Sequence, residues 1–196
     1  MSIFRLKQNL TNPVDCHGVW YFKLDLFNQG CASTYLTRLD QALIVWAVAI
    51  AAIFFIAQFY PLNWKVQAVV WSILSCIAVW ASGKLAWFWV TARQKRWILY
   101  CWSCLVLGGL YLTDYGIFTE WGILLVHLCS IWLGISAIGY FATGIGMRAP
   151  ALSWIGIVHV GAIPILSLFP IYQFLLAGIV MFCSLFCLAA FEWQHQ

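Results

Sequence analysis

The sequence predicts an all-α protein, a polytopic membrane bundle of six transmembrane helices. Of its 196 residues, 64% are hydrophobic and only 8% are charged, and the mean hydropathy is +0.91. Soluble domains carry about 25% charged residues, so no water-exposed surface could be built from this composition. The apolar residues also fall in long runs, and a hydrocarbon core about 30 Å thick accepts about 20 such residues as one helix.

Residues 1–39 are predicted to form an amino-terminal arm, and residues 40–196 the helical bundle. The arm contains no apolar run of the length that a signal peptide needs, so we expect it to be retained. Its stretch VWYFKLDLF alternates in part between apolar and charged residues, a pattern typical of a short strand or of a segment lying on the membrane surface. Cys16, His17 and Cys31 lack the spacing of a zinc site. We interpret the arm as an interfacial cap or a partner-docking segment.

Apolar length and helix breakers predict spans at 41–60, 66–90, 97–113, 120–143, 151–169 and 171–191. The last division rests on Pro170 alone. Residues 151–191 as a single helix would measure about 60 Å, twice the hydrocarbon thickness. A tight hairpin is therefore the preferred prediction, and five spans with a bent or re-entrant last segment is the alternative.

Basic residues predict the orientation, because Lys and Arg in short loops are retained on the cytoplasmic side. With six spans, one face carries nearly all of them: Arg5, Lys7, Lys23, Arg38, Arg93, Lys95, Arg96 and Arg148. The other face carries Lys65, Asp114 and Glu120. Both termini, including the carboxyl-terminal EWQHQ, are therefore expected on the cytoplasmic side.

Tryptophans occur both near the ends of the predicted spans and deep inside them. Those near predicted ends are expected in the interfacial aromatic belts, namely Trp64, Trp87, Trp89, Trp97, Trp121, Trp154 and Trp193. Four lie deeper and are expected to pack between helices, with lining of a flat ligand or a lipid as the alternative: Trp71, Trp80, Trp102 and Trp132.

Two histidines lie inside predicted spans, and each has small residues on its own helical face. Gly134 follows His127 by seven positions, and Gly156 precedes His159 by three. Small residues allow a neighbouring helix to approach, so that a histidine can donate a hydrogen bond across the interface. They also leave space for a planar ring beside an axial ligand. His127 and His159 are thus interhelical hydrogen-bonding residues, proton-relay or substrate-binding residues, or the two axial ligands of haem b or another tetrapyrrole.

Lys84 and the pair of Cys101 and Cys104 can each be interpreted as functional or as structural residues. Lys84 is the single basic residue inside a span; it is expected either to extend toward the membrane surface or to bind a lipid headgroup or an anionic substrate. Cys101 and Cys104 form a C-x-x-C pair whose helical spacing suits thiol redox chemistry. The six cysteines inside apolar segments are otherwise expected to act as small packing residues.

No phosphate-binding loop, H-E-x-x-H or G-x-S-x-G motif is present in the sequence, which argues against common hydrolases and nucleotide-driven pumps. The net charge of +4 is scattered and predicts no nucleic-acid partner. The sequence therefore favours an accessory, assembly or scaffold component of a membrane complex, without chemistry of its own and with lipids and membrane proteins as partners. A haem-binding electron-transfer protein is the first alternative. A small-solute transporter using Lys84 and a helix interrupted by Pro164 is the second.

Overall fold

A computed structural model describes residues 18–24, 32–60 and 62–191 of the chain. Over these ranges the chain forms a β-hairpin followed by seven α-helices. The strands are β1 Trp20–Leu24 and β2 Ala32–Leu36. The helices are α1 Arg38–Phe59, α2 Trp64–Ala92, α3 Arg96–Phe118, α4 Gly122–Val126, α5 Leu128–Met147, α6 Pro150–Leu168 and α7 Gln173–Ala190.

All helices except α4 are long and apolar enough to cross a membrane, so the predicted helical fold with six spans is confirmed. The last two spans form a hairpin through a 3₁₀ turn, Pro170–Tyr172, as preferred from the sequence. Gln58 at the end of α1 stabilises this turn. Its Nε2 donates to the carbonyl of Ile171 at 3.0 Å, and its Oε1 accepts from the amide of Leu175 at 3.1 Å.

Several helices extend beyond their predicted bounds, and at two of them a side-chain hydrogen bond helps to explain the difference. The first begins at Arg38 rather than residue 41, because Thr37 and Asp40 form a capping box in which each side chain accepts from the other residue's amide. The third continues to Phe118 rather than ending at residue 113. Asp114 is tolerated inside it because its Oδ2 accepts from Ser72 Oγ on α2 at 2.9 Å.

The fourth predicted span, 120–143, is not one continuous helix. His127 ends α4 and precedes α5, with φ −100° and ψ 11°. Its amide donates to the carbonyl of Leu124 at 3.2 Å, a short-range bond that interrupts the α-helical ladder. Leu124 lies against Gly116 near the end of α3. The membrane-spanning part of this segment is therefore α5 alone.

The hairpin is joined to the first residues of α1. Trp20 pairs with Leu36 in an antiparallel register, which confirms the predicted strand in VWYFKLDLF. Gln41 Nε2 donates to the carbonyl of Gly18 at 2.9 Å and to that of Leu36 at 3.3 Å. Arg5, Lys7, Cys16, His17, Cys31 and the carboxyl-terminal EWQHQ lie outside the described residues, and the docking role of the arm stays a prediction.

Five of the long helices form a ring. Helix α1 packs against α2 and α7, α2 against α3, α3 against α5, and α5 against α7. Helix α6 packs on the outside of this ring, against α5 and α7. The five helices of the ring therefore surround a central space, and most residues of α6 lie outside it.

Successive spans run antiparallel, which gives the bundle two chemically different ends. At the basic end, Leu39, Val90, Ile98 and Met147 pack together beside Arg38, Arg93, Lys95, Arg96 and Arg148. At the far end, Trp71, Ile117 and Leu128 pack with Phe174. Lys65 at the far end is paired with Glu120 at 3.6 Å, so this cation is partly neutralised.

Large apolar side chains cover the outward surface of the spans, as a hydrocarbon solvent requires. Trp64, Trp87, Trp97, Trp121 and Trp154 are all exposed, in agreement with interfacial belts. The predictions for two others are wrong. Trp89 is buried at the basic end, and Trp80 is 67% exposed on the outer face of α2 rather than packed between helices.

Reciprocal contacts between tryptophan and glycine hold α3 against α5. The ring of Trp102 on α3 lies over Gly139 on α5, and the ring of Trp132 on α5 lies over Gly109 on α3. A Cβ atom at Gly139 would stand 2.6 Å from the Trp102 ring, and one at Gly109 would stand 2.9 Å from the Trp132 ring. Glycine at both positions is therefore needed for the two helices to approach this closely.

We predict that Gly139→Ala lowers the stability of the protein in detergent by about 1–3 kcal/mol, because the added methyl group displaces the Trp102 ring. The matched control is Gly134→Ala on the same helix, where a Cβ meets nothing within 4 Å and helix propensity favours alanine. Thermal unfolding followed by tryptophan fluorescence measures both. Equal effects of the two substitutions would contradict the assigned α3–α5 interface.

Candidate functional site

The structure does not bring the residues singled out from the sequence into one site. His127 is exposed at the break between α4 and α5, whereas His159 on α6 is completely buried. Lys84 is exposed on α2, in agreement with a side chain that extends toward the membrane surface. Cys101 is partly buried and Cys104 is exposed on α3.

His159 has one used and one unused ring nitrogen. Its Nδ1 lies 2.9 Å from the carbonyl oxygen of Ile155, and because a carbonyl can only accept, Nδ1 carries the proton. Its Nε2 is buried and has no hydrogen-bond partner among the described residues. The ring of Tyr140 on α5 lies 5.0 Å away, between centroids, at 53°. His159 thus presents a free lone pair inside the α5–α6 interface.

That lone pair has the chemistry of an axial ligand, since metal-bound histidines usually donate their other nitrogen to a carbonyl or a carboxylate. The space beside it is filled by side chains. The ring of Phe141 stands 3.0 Å from where a Cβ of Gly156 would lie, and Tyr140 packs against the imidazole itself. Gly134 faces open space. Ligation of a tetrapyrrole by His127 and His159 stays a prediction.

The centre of the five-helix ring contains a cavity of about 210 Å³. Each helix of the ring contributes residues spaced three or four positions apart, which is the spacing of one helical face. On α1 these include Leu39, Leu43, Trp46, Ile50, Ile53 and Ala57. On α2 they include Trp71, Ser75, Val79, Ser82, Ala86 and Val90. From α6, only Leu152 reaches the cavity.

The cavity is long and narrow. Its lining extends from Leu39 at the basic end to Ala57 and Phe174 at the far end. Leu39 and Ala57 are about 27 Å apart along α1 at 1.5 Å per residue, close to the thickness of a hydrocarbon core.

The walls are mainly apolar, and two tryptophans in them are paired with hydroxyls of neighbouring helices. Trp46 Nε1 on α1 donates to Ser82 Oγ on α2 at 3.1 Å. Trp132 Nε1 on α5 donates to Thr113 Oγ1 on α3 at 3.1 Å. Both hydroxyls in turn donate to carbonyls of their own helices. These bonds connect α1 to α2 and α5 to α3.

The far end of the cavity is different. Trp71 lines it and is buried, and its Nε1 has no hydrogen-bond partner in the described part of the chain. Gln67, one turn earlier on α2, is also buried. Its Nε2 donates to the carbonyl of Leu62 at 3.0 Å, but its Oε1 has no partner among the same residues. An unused donor and an unused acceptor therefore lie one helical turn apart.

Sequence reasoning missed this site, although α2 carried a signal for it. Gln67, Trp71, Ser75 and Ser82 recur at helical spacing within an apolar span, and polar residues in such spans ordinarily face the bundle interior. All four are buried. Trp71 is buried, in agreement with the predicted packing between helices.

The central cavity and its lining residues are suited to binding a ligand. Within residues 18–24, 32–60 and 62–191, no three His, Cys, Asp or Glu side chains group together as a metal site. The chain matches no protein-family model, no curated protein and no solved structure. The function is therefore inferred from the geometry of the cavity.

Proposed function

We propose that this chain is a multipass membrane protein that holds the hydrocarbon chain of a lipid in its central cavity, and that it acts as an accessory or assembly component without chemistry of its own. The observation that carries the proposal is the apolar cavity enclosed by α1, α2, α3, α5 and α7. An apolar cavity of about 150 Å³ is already large enough to bind benzene.

The cost of an empty cavity supports an occupant. Empty apolar space destabilises a protein, because the side chains that line it lose their packing contacts. Net protein stabilities are only about 5–15 kcal/mol. A bilayer supplies extended hydrocarbon chains at high concentration, and one such chain would restore the missing contacts along the walls.

The apolar, unfilled interior of the cavity also favours lipid binding over the scaffold and transporter functions that the sequence suggests. A scaffold that acts through packing alone is expected to fill its interior with side chains, and a solute transporter is expected to have a polar cavity at the middle of the membrane. The cavity here is neither filled nor polar. Lys84 and Pro164, on which a transporter was predicted to depend, are both exposed and are not in the lining.

We predict that Ser136→Phe abolishes chain binding. Ser136 is a small buried residue halfway along α5 that lines the cavity, so a phenyl ring there would occupy the space. Displacement of a fluorescent fatty-chain probe from purified protein measures the binding. The control is Ile138→Phe on the outward face of α5, where Ile138 is 58% exposed. Unchanged binding in a folded Ser136→Phe variant would contradict the proposal.

The proposal includes an orientation with the basic end, and with it both termini, in the cytoplasm. Among the residues that the structure describes, five cations lie at that end, against one at the far end that is paired with Glu120, and such a bias fixes topology. We expect a membrane-impermeant maleimide to label Lys65→Cys in intact cells and Arg96→Cys only after permeabilisation. The unsubstituted protein supplies the background. The reverse pattern would refute the orientation.

Tetrapyrrole binding is a second candidate function, favoured by the free Nε2 of buried His159. When bound, the tetrapyrrole iron would supply one-electron chemistry, and His159 would be the ligand. The prediction is a Soret band after reconstitution with haem that His159→Ala removes. His127→Ala, which alters an exposed residue, tests whether His127 is the second ligand. Protein that stays colourless with excess haem would end this candidate.

A further inference from the structure

Three cations stand close together at the basic end of the bundle. Lys95 precedes α3 and Arg96 begins it, and Arg148 follows α5 in the turn to α6. Lys95 Nζ donates to the carbonyl of Gly146 at 3.2 Å, two residues before Arg148. The ring of Trp97 lies against Gly146, where it leaves no room for a Cβ atom. These contacts bring the α2–α3 turn and the α5–α6 turn side by side.

No carboxylate among the described residues forms an ion pair with these three cations. The acidic residues in those ranges are Asp40, Asp114 and Glu120. Asp114 and Glu120 belong to the far end of the bundle, where they contact Ser72 and Lys65, and Asp40 is part of the capping box of α1. The positive charge of the three cations is therefore not offset by any carboxylate that the structure describes.

The side chains of the three cations keep N–H groups that can bind an external anion. Arg96 Nε donates to Thr91 Oγ1 at 3.2 Å, and its guanidinium carbon lies 5.3 Å from the centroid of the Trp87 ring. Its terminal nitrogens have no partner in the described ranges, and the exposed side chain of Arg148 has none there either. Lys95 retains two further donors. Guanidinium groups suit phosphate in particular, because one of them can donate to two phosphate oxygens at once.

The surface beside these cations is that of a membrane interface. Trp87 and Trp97 are exposed next to them, and exposed tryptophans mark the level of the lipid headgroups. Tyr100, one turn after Arg96 on α3, and Ile145 on α5 are exposed toward the hydrocarbon region. A phospholipid at this place could hold its phosphate at the two turns and lay its acyl chains along α3 and α5. Basic clusters beside membrane spans recognise anionic lipids in this way.

We propose that the α2–α3 and α5–α6 turns bind the phosphate of an anionic phospholipid from the leaflet at the basic end, through Lys95, Arg96 and Arg148. The site is separate from the central cavity, because none of the three residues lines that cavity. A headgroup reaches this level without leaving the leaflet, whereas an acidic segment of a protein would have to enter the interface to reach it.

Native mass spectrometry of the purified protein tests the site with two lipids of equal acyl chains, phosphatidylglycerol and phosphatidylcholine. Phosphatidylglycerol is expected to bind about tenfold more tightly, because the cations repel the trimethylammonium group of phosphatidylcholine, and added salt should reduce the difference. Arg148→Gly and Arg96→Gln should each weaken phosphatidylglycerol binding about fivefold, the effect of one basic residue near an anionic surface. Both variants should leave phosphatidylcholine binding unchanged.

Arg148→Gly separates binding from folding. Arg148 has φ 55°, a left-handed conformation that glycine adopts readily at the end of a helix. This substitution should therefore weaken phosphatidylglycerol binding without lowering the thermal stability of the protein. The matched control is Lys65→Gln, which removes one cation at the far end, where Lys65 is paired with Glu120. It should leave both lipid affinities unchanged.

Equal binding of the two lipids to the unsubstituted protein would overturn the inference, as would equal effects of Arg148→Gly and Lys65→Gln. Displacement of bound phosphatidylglycerol by inorganic phosphate would assign the turns to a free anion, and displacement by a polyglutamate peptide would assign them to a protein partner. Either displacement would also overturn the inference. The proposed function has its own readout, because Arg148→Gly should leave binding of the fatty-chain probe in the central cavity unchanged.

Discussion

The close approach of α3 to α5 is the contact on which the ring depends. Lipid is as apolar as a helix surface, so burial of hydrocarbon does not drive spans together, and association relies on packing and hydrogen bonds. Here the indole rings of Trp102 and Trp132 lie on Gly139 and Gly109 of the opposite helix. The indole N–H of Trp132 also donates a hydrogen bond to the hydroxyl of Thr113 on α3. The contact therefore combines close packing with a directional bond.

The same large side chains explain why the ring stays open at its centre. Trp46 and Trp132 are bound to hydroxyls on the neighbouring helices, which holds their rings in the walls. Trp102 is held at its other face by Tyr140, with centroids 5.1 Å apart. Rigid rings fixed in this way cannot collapse inward as flexible aliphatic side chains would. An apolar space about as long as the hydrocarbon core results.

The features of the fold that depend on the length and composition of each segment could be predicted from the sequence. Six spans and the hairpin at Pro170 follow from hydropathy and from the limit that bilayer thickness places on a helix. The strand in VWYFKLDLF follows from its alternation. The capping box of Thr37 and Asp40 has a recognisable four-residue pattern and could have corrected the start of α1.

What the sequence did not predict depends on which faces of the spans meet. A span surrounded by lipid on one side and by apolar neighbours on the other is hydrophobic all round, so its inward face has no distinct hydropathy. Trp80 and Trp71 are equivalent by that measure, yet the first is on the outer surface and the second is in the cavity wall. Gly134 faces open space and Gly156 lies against the ring of Phe141, whereas Gly109 and Gly139, for which the sequence predicts no role, receive the tryptophan rings. The break at His127 follows Leu124, which packs on Gly116 in a contact that no local sequence pattern predicts.

An experimental density map of the protein in lipid nanodiscs tests the central claim most directly. A continuous tubular density inside the ring, extending from the level of Leu39 to that of Trp71 and unconnected to any side chain, is the result that this account predicts. A map in which α2 packs directly against α5, with the space between them filled by side chains of the protein, would contradict it.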